Sequence, residues 1–367
     1  MSTTPCYACG SLLPDEQLIP FGDRLYCADC LEQLTVRCQN CGESILREEN
    51  AGDTHTPLCA YCRENDYDTC ARCGTLIALE AAHYLDSDED EHFPYCTDCY
   101  HEVRDRAIRE YHYKPEPIFY GDGGCYLGVE LEIDRAGEDN SVAERLMGIA
   151  NRDDVHIYCK HDGSLDDGFE IVSHPMTMDY HASVMPWREV MDTAIALDYR
   201  SHQTSTCGLH VHVNRTWFGE SEDEQEAAIA RVLYFVERNW NELLVFSRRT
   251  ERQLDRWAAR YGYKDHPQEM LEHVKKGRAG RYTCVNLCNS DTIEFRIFRG
   301  TLKYNTFIAT LQMVSRICDA ALFYSDAALK QLSWGKFVEG IHELELIQYL
   351  KERRLYLNDP VESGVEF

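Results

Sequence analysis

Residues 281–301 read RYTCVNLCNSDTIEFRIFRGT, and this stretch decides the fold. At period two, Ile293, Phe295 and Ile297 point one way and Glu294, Arg296 and Phe298 the other, the alternation of a strand with one apolar face. Asn289, Ser290 and Asp291 form a turn cluster, so two strands joined by a short loop are expected. Alone, a Glu-x-Arg pair describes any half-exposed surface strand. Three earlier segments repeat the arrangement with different ligand chemistry. Together they are expected to form one sheet whose polar face is an active site.

The first segment is 126–134, YLGVELEID. Val129, Leu131 and Ile133 form its core face, while Glu130 and Glu132 share the other, about 7 Å apart along the strand. Two such carboxylates supply the hard oxygen donors that divalent cations take, or simply an exposed strand face. The second segment, 158–175, reads YCKHDGSLDDGFEIVSHP: a strand, a turn at Asp166-Asp167-Gly168, and a strand with Glu170 opposite in sense to Phe169 and Ile171. Its Asp162-Gly163-Ser164 presents a carboxylate and a hydroxyl to a ligand, or makes a plain turn. The third, 207–214, reads CGLHVHVN, with His210 and His212 on one face and Leu209, Val211 and Val213 on the other. Between and after these strands, helices are expected at about 178–198, 221–247, 305–324 and 336–351. The arginine-rich stretch 248–281 has no clear pattern and reads as a cover.

The first hundred residues follow another logic. Twelve of the eighteen cysteines form six CxxC pairs, Cys6/Cys9, Cys27/Cys30, Cys38/Cys41, Cys59/Cys62, Cys70/Cys73 and Cys96/Cys99. The opening pairs all run CxxCG and begin at residues 6, 38 and 70, an internal repeat stretched in its third unit by DSDEDEH. A CxxC turn aims two thiolates at one tetrahedral ion, and the glycine after it permits the tight backbone. Joining each pair to the next gives three closed four-thiolate zinc sites, about 6–30, 38–62 and 70–99, with no open coordination position and hence a structural role. His55, His83 and His92 lie in the loops, but no cysteine is missing for them to replace, so they read as solvent-facing. The knuckles resemble LIM-type and zinc-ribbon modules, which grip proteins or nucleic acids. Nineteen acidic residues against five arginines in this part would repel a phosphate backbone, so a protein partner or an architectural role is expected.

Bulk properties agree. The net charge of −26 disfavours nucleic acid and anionic membranes as partners. The start MSTTPCYACG shows no secretory pattern, and no run of 18 uninterrupted apolar residues occurs, so a cytoplasmic protein is expected. Cysteines without a secretory signal point to metal rather than disulfides. The two prolines and the Gly-Asp-Gly-Gly after a helical run at 101–113 place a boundary near 112–124. The expected order is zinc knuckles over 1–103, a helix and linker over 104–123, and a second domain over 124–367.

The four motifs GVELEI, DGSL with FEIVSHP, GLHVHV, and RYTCVNL with IEFRIFRGTL occur in that order over about 124–325. Their set resembles the amidoligase family of the glutamine-synthetase-like carboxylate–amine ligase superfamily. The resemblance implies an α+β fold, a curved antiparallel sheet with flanking helices, carrying ATP and two magnesium ions on its concave face. It implies Glu130, Glu132, Glu170, His210 and Glu294 as magnesium ligands and His212 as a neighbour or alternative ligand. It implies Arg296, with Arg281 and Asn286, at the phosphate or the activated carboxylate. Strict alternation sets Arg281 and Asn286 on opposite faces, so both reach the site only if the strand bulges. The implied reaction is ATP-dependent amide or isopeptide formation through an acyl phosphate, on a small-molecule or protein substrate. No GxxxxGK[ST] loop is present, so ATP is not held in the Walker manner. Nothing in the sequence singles out a general base; Asp162 is the candidate.

Two other readings stand beside this one: a metal-dependent hydrolase built on the His-x-His pair and the glutamates, and a non-catalytic zinc-finger adaptor. A thiol enzyme is weaker, because free cysteines usually behave as small buried hydrophobes. Elemental analysis of residues 1–103 is expected to return three zinc ions per chain. Fewer than two, or iron in their place, would overturn the knuckle assignment.

Overall fold

Each cysteine pair in the N-terminal part closes the same local structure. Gly10, Gly42 and Gly74 take left-handed φ values of 72°, 77° and 71°, which a glycine adopts without a Cβ penalty. Their N–H groups donate to the carbonyls of Cys6, Cys38 and Cys70, each at 2.9 Å. A short antiparallel strand pair flanks each turn, and Cys27 and Cys59 of the second pairs cap the short helices Ala28–Leu34 and Ala60–Asp66. Within each set of four the sulfur atoms lie within 4.8 Å of one another. Cys41 and Cys59 are 3.9 Å apart, as are Cys73 and Cys96. Tetrahedral zinc with Zn–S bonds of about 2.3 Å needs sulfurs about 3.8 Å apart, so the donor sets fit that ion. Backbone N–H groups of Cys9 and Cys27 draw the Cys6 thiol down to about 6, toward the thiolate that a metal binds.

The computed structural model describes residues 2–84, 93–104, 106–277 and 280–356. Leu85 and the DSDEDEH insertion, which ends in His92, lie outside them. His55 is exposed, while His83 is half-buried and stacks on Tyr100 at 4.8 Å. Contacts divide the chain into two units, residues 1–105 and 106–367.

The second unit is α+β, built on a seven-stranded sheet. Its strands are β1 (Ile108–Arg109), β2 (Leu127–Ile133), β3 (Ile157–Lys160), β4 (Phe169–Ser173), β5 (Gly208–Asn214), β6 (Val285–Asn286) and β7 (Thr292–Arg299). They lie in the order β6-β7-β5-β2-β4-β3-β1, antiparallel except for the β3–β1 pair. One face carries Val129, Leu131, Ile133, Phe169, Ile171, Leu209, Val211, Ile293 and Phe295, all fully buried. These share a single core with helices that include Asn140–Ala150, Trp187–Ala196, Glu222–Arg238 and Tyr304–Phe323. The last is long and apolar enough to cross a membrane by length and composition, yet most of it is packed inside this core.

Several elements differ from the sequence reading, each for a local reason. The helical run expected to reach residue 113 ends at Arg104, because Ile108 is buried as the parallel partner of Cys159 in the edge strand. The helix expected at 178–198 is two, Met178–Ser183 and Trp187–Ala196, parted at Pro186, which has no N–H to carry the ladder through. The helix at 221–247 breaks at Asn239, between Glu222–Arg238 and Trp240–Ser247. Only Val285 and Asn286 of the first strand in 281–301 pair with β7.

The main correction concerns Phe298. Val211 pairs with Phe295 but Leu209 with Phe298, so a bulge adds one residue to β7 between them. A one-residue slip exchanges the two faces of a strand. Phe298 therefore joins the core, 5.9 Å from the ring of Phe246, instead of sharing a face with Glu294.

His181 lies fully buried beneath β2, with Nε2 2.9 Å from the Leu127 carbonyl oxygen and Nδ1 accepting from Trp187 Nε1 at 3.1 Å. Burial pushes its pKa from 6.5 down to about 4. The folded state holds a neutral ring that the unfolded chain protonates, so stability present above pH 6.5 drains as pH falls toward 4. From pH 7 to 5 this one group should cost about 2 kcal/mol. Urea unfolding at the two pH values should show His181→Gln with a dependence flatter by about that amount; an identical dependence would refute the assignment.

Candidate active site

The opposite face of the sheet is polar and also buried. Register sets it out in rows. Lys160, Glu170 and Glu132 stand side by side across β3, β4 and β2. Glu130 faces His210 across β2 and β5. Gly128, His212, Glu294 and Asn286 form the last row across β2, β5, β7 and β6. Glu132, Glu170, His210 and Glu294 are each no more than 4% exposed. A buried carboxylate costs several kcal/mol unless paired, so each needs a partner.

The partners are present. Glu130 lies between the two imidazoles, with Oε2 3.0 Å from His210 Nδ1 and Oε1 3.1 Å from His212 Nε2. His210 also stands 3.5 Å from Glu294 and, through Nε2, 3.7 Å from Glu132. Arg296 pairs with Glu294 Oε1, and Asn286 Nδ2 donates to Glu294 Oε2 at 2.8 Å. Lys160 lies 3.6 Å from Glu170. Two groups of donors result, Glu130–His210–Glu294 and Glu132–Glu170–His210, each with ligand atoms within 4.8 Å. Their carboxylate oxygens and imidazole nitrogen fit divalent cations such as magnesium or manganese, with His210 common to both.

Proton affinities follow the crowding. Burial pushes the Glu130 carboxyl up, but His212, His210 and Lys160 outweigh it and hold it well below the usual range. Burial drives Glu170 well above that range, reinforced by the Glu130 charge and opposed by Lys160. Glu132 rises as well, through burial and the charge of Asp162. Burial lowers His212, yet Glu130 and Glu294 reverse this and raise it. Within the cluster, then, Glu130 is the carboxyl most favoured as the anion and Glu170 the one that most readily takes a proton.

The sequence-derived residues occupy different positions. Glu130, Glu132, Glu170, His210, His212, Glu294, Arg296 and Asn286 come together on this face. Asp162 sits in the loop after β3, accepts from the Ser164 N–H at 2.6 Å, and is near enough for its charge to raise Glu132 and Glu170. Arg281 is exposed and bonded to the hydroxyls of Tyr111 and Tyr282, and the Tyr282 ring lies 5.8 Å from the Arg296 guanidinium. Tyr111 also lies 5.7 Å beneath Lys160.

Sequence reasoning missed Lys160, Asp134 and Arg249. Lys160 had a signal, since it alternates with Cys159 and Ile157 in its strand. Buried Asp134 accepts from the N–H groups of Arg135, Asp166 and Asp167 and from the Thr206 hydroxyl, tying the 162–168 and 200–207 loops to the end of β2. Arg249 is brought in by Arg248, whose left-handed φ of 62° ends helix Trp240–Ser247, and no local pattern announces it.

A buried face of carboxylates, imidazoles and an arginine has the donors to hold divalent cations beside an anionic group. Residues 149–318 match the family model described as "Putative amidoligase enzyme", so the resemblance carried by the motifs holds over that stretch, somewhat under half of the chain. Strand β2, with Glu130 and Glu132, lies before the matched residues. Among solved structures, the complex between prokaryotic ubiquitin-like protein Pup and its ligase PafA is similar at 8% identity and a TM-score of 0.30. The match covers 65% of this chain and 59% of that one, a likeness too distant to bear on function. No curated protein matches the chain.

Because Glu130 contacts both histidines, Glu130→Gln should weaken the site more than any other single amide substitution. Calorimetric titration with manganese is expected to show affinity lower by roughly 100-fold, with the melting temperature little changed. Unchanged affinity would exclude Glu130 as a ligand.

Proposed function

We propose that this chain is an ATP-dependent carboxylate–amine ligase that makes an amide or isopeptide bond. The observation that supports it best is the pair of acid–histidine groups sharing His210 beside Arg296, within a chain whose residues 149–318 match amidoligases. Glu130, Glu132, Glu170, His210 and Glu294 would hold two magnesium ions, which supply charge neutralisation at a transferring phosphoryl group.

The chain's own groups account for the remainder. A substrate carboxylate oxygen attacks the γ-phosphorus of ATP, the bond to ADP breaks, and an acyl phosphate forms. Arg296, fixed by Glu294, offers a planar cation to the charge that develops there. The amine nitrogen then attacks the acyl carbon, phosphate leaves, and the nitrogen gives up a proton. Asp162, in the loop at the edge of the site, is the candidate to receive it. Buried walls keep water from the acyl phosphate, which would otherwise hydrolyse.

The zinc unit contributes none of these groups, and its acidic surface would repel ATP. We assign it to recruitment of a protein that carries the amine or the carboxylate, raising the local concentration at the site. Residues and composition are consistent with a cytoplasmic protein.

The test is ADP release by the purified full chain across a panel of acids and amines, with a product mass equal to acid plus amine less one water. Glu294→Gln should reduce the rate at least about 100-fold and Arg296→Lys at least about 10-fold. The fragment 106–367, which keeps the edge strand β1, should act on small substrates at ordinary rates and lose most activity on a protein acceptor. No ADP with any pair, or hydrolysis without ATP, would sink the ligase reading. A fragment that is insoluble would instead make the zinc unit part of the fold.

A further inference from the structure

Among the described residues, five buried side-chain polar atoms have no hydrogen-bond partner. Three of the five belong to arginines that sit together: Arg249 Nη1, Arg296 Nε and Arg299 Nε. Arg249 is the extreme case. It is 8% exposed, and its guanidinium makes no hydrogen bond or ion pair among the described residues. Only its backbone N–H is engaged, by Ser247 Oγ at 3.2 Å.

Its position is well defined. A Cβ placed on Gly208 would lie 2.7 Å from Arg249 Nη2 and 2.6 Å from His210 Nε2, so the guanidinium and the imidazole converge above this residue and any side chain there would displace them. The β7 bulge adds Arg299 to the same end, because it shifts Arg299 into register with Gly208. Arg299 donates to the Thr204 carbonyl oxygen at 3.3 Å and leaves Nε unused. Arg248, directly before Arg249, donates to the carbonyls of Arg299 and Gly300 and so locks the loop in place. Burial and the nearby charges of Arg296 and Arg299 depress Arg249 to about 10, and Glu132 only partly offsets them.

A buried guanidinium without a partner is expensive, and removing such a charge from an otherwise stable core is commonly neutral or favourable. Stability therefore gives no reason for Arg249 to be there. The three guanidiniums gather at the Gly208 end of the face, where the nearest acid is Glu132, whose carboxylate accepts from the Gly208 N–H. Burial raises that carboxyl, so it offsets the arginine charges only in part, and an anion from a substrate would complete the balance.

We propose that Arg249 and Arg299, with Arg296 at their flank, form an oxyanion-binding subsite at the Gly208 end of the site face. The subsite takes a phosphoryl or carboxylate group of a substrate. Guanidiniums gathered at one end of the face suit an anion with several oxygens. The proposal deepens the ligase reading and rests on it only for the source of the anion. Arg249 is the specificity-determining residue, since it has no other partner.

The experiment uses the full chain, without added divalent ions, and follows melting temperature and calorimetric binding with two probes, sodium phosphate and glutarate. Wild type should respond saturably to at least one. A response to phosphate alone assigns the subsite to the phosphoryl group, to glutarate alone to a substrate carboxylate, and to both to either oxyanion. Arg249→Met should melt at or above the wild-type temperature without ligand, yet bind the probe at least 10-fold more weakly. Arg249→Lys should recover part of the loss, and Arg256→Gln, on the exposed side of the following helix, should bind as wild type. A wild type indifferent to both anions, or Arg249→Met responding as wild type does, would overturn the subsite. If the subsite passes but no acid and amine pair releases ADP, the ligase reading falls alone.

Discussion

Three buried carboxylates and the half-buried Glu130, all on one side of one sheet, set the terms for the rest of the second unit. Two ionised carboxylates within about 5 Å repel by about 3 kcal/mol even at an effective dielectric of 20. Glu130, Glu132, Glu170 and Glu294 cannot all stay charged unless cations stand among them. Lys160 answers Glu170, Arg296 answers Glu294, and the two imidazoles share Glu130. What remains unbalanced is pushed onto Glu170, whose carboxyl rises well above its ordinary range. Cations at the two donor groups would remove the imbalance, so the ligand-free centre is set up electrostatically for the ions its oxygen donors suit.

Such a face requires exact register. The sheet's side chains alternate with period two, so a slip of one residue in β2, β4 or β5 would exchange Glu130, Glu170 or His210 for Val129, Ile171 or Val211. The opposite face prevents this, because every slipped register would drive a carboxylate or an imidazole into the apolar core. The one permitted irregularity is the bulge in β7. It falls between the Glu294–Arg296 pair and Phe298, letting one strand carry site residues at one end and core at the other. Gly168 is similarly constrained: a Cβ there would meet the Ile133 carbonyl oxygen at 2.0 Å, where the turn closes on Asp134.

Much of this was legible in the sequence where the signal is local. Glu130 and Glu132, or His210 and His212, show their shared faces through alternation alone, and CxxCG fixes a cysteine turn in five residues. The losses occur where position depends on a partner distant in sequence. Phe298 obeys strict alternation on paper, and only pairing with Leu209 reveals the extra residue. Ile108 sits in a run with helical composition but becomes a strand because β3 offers an edge. Lys160 could have been read from its strand, but without Glu170 opposite there was no reason to choose it. Arg249 could not have been read at all, since a left-handed residue at the end of a helix aims it at a glycine some forty residues earlier.

Two donor chemistries in one chain also bear on which ion goes where. Ranked by affinity alone, zinc outcompetes magnesium at nearly any site containing a histidine, so the glutamate cluster would be open to capture by the wrong ion. The three thiolate sets change that competition within the same molecule. Soft sulfur donors in closed tetrahedral groups bind zinc far better than a carboxylate-rich group with one shared imidazole. Zinc reaching the chain should therefore fill the cysteine sets first. The glutamate face, where oxygen donors outnumber nitrogen, is then left to the abundant hard cations.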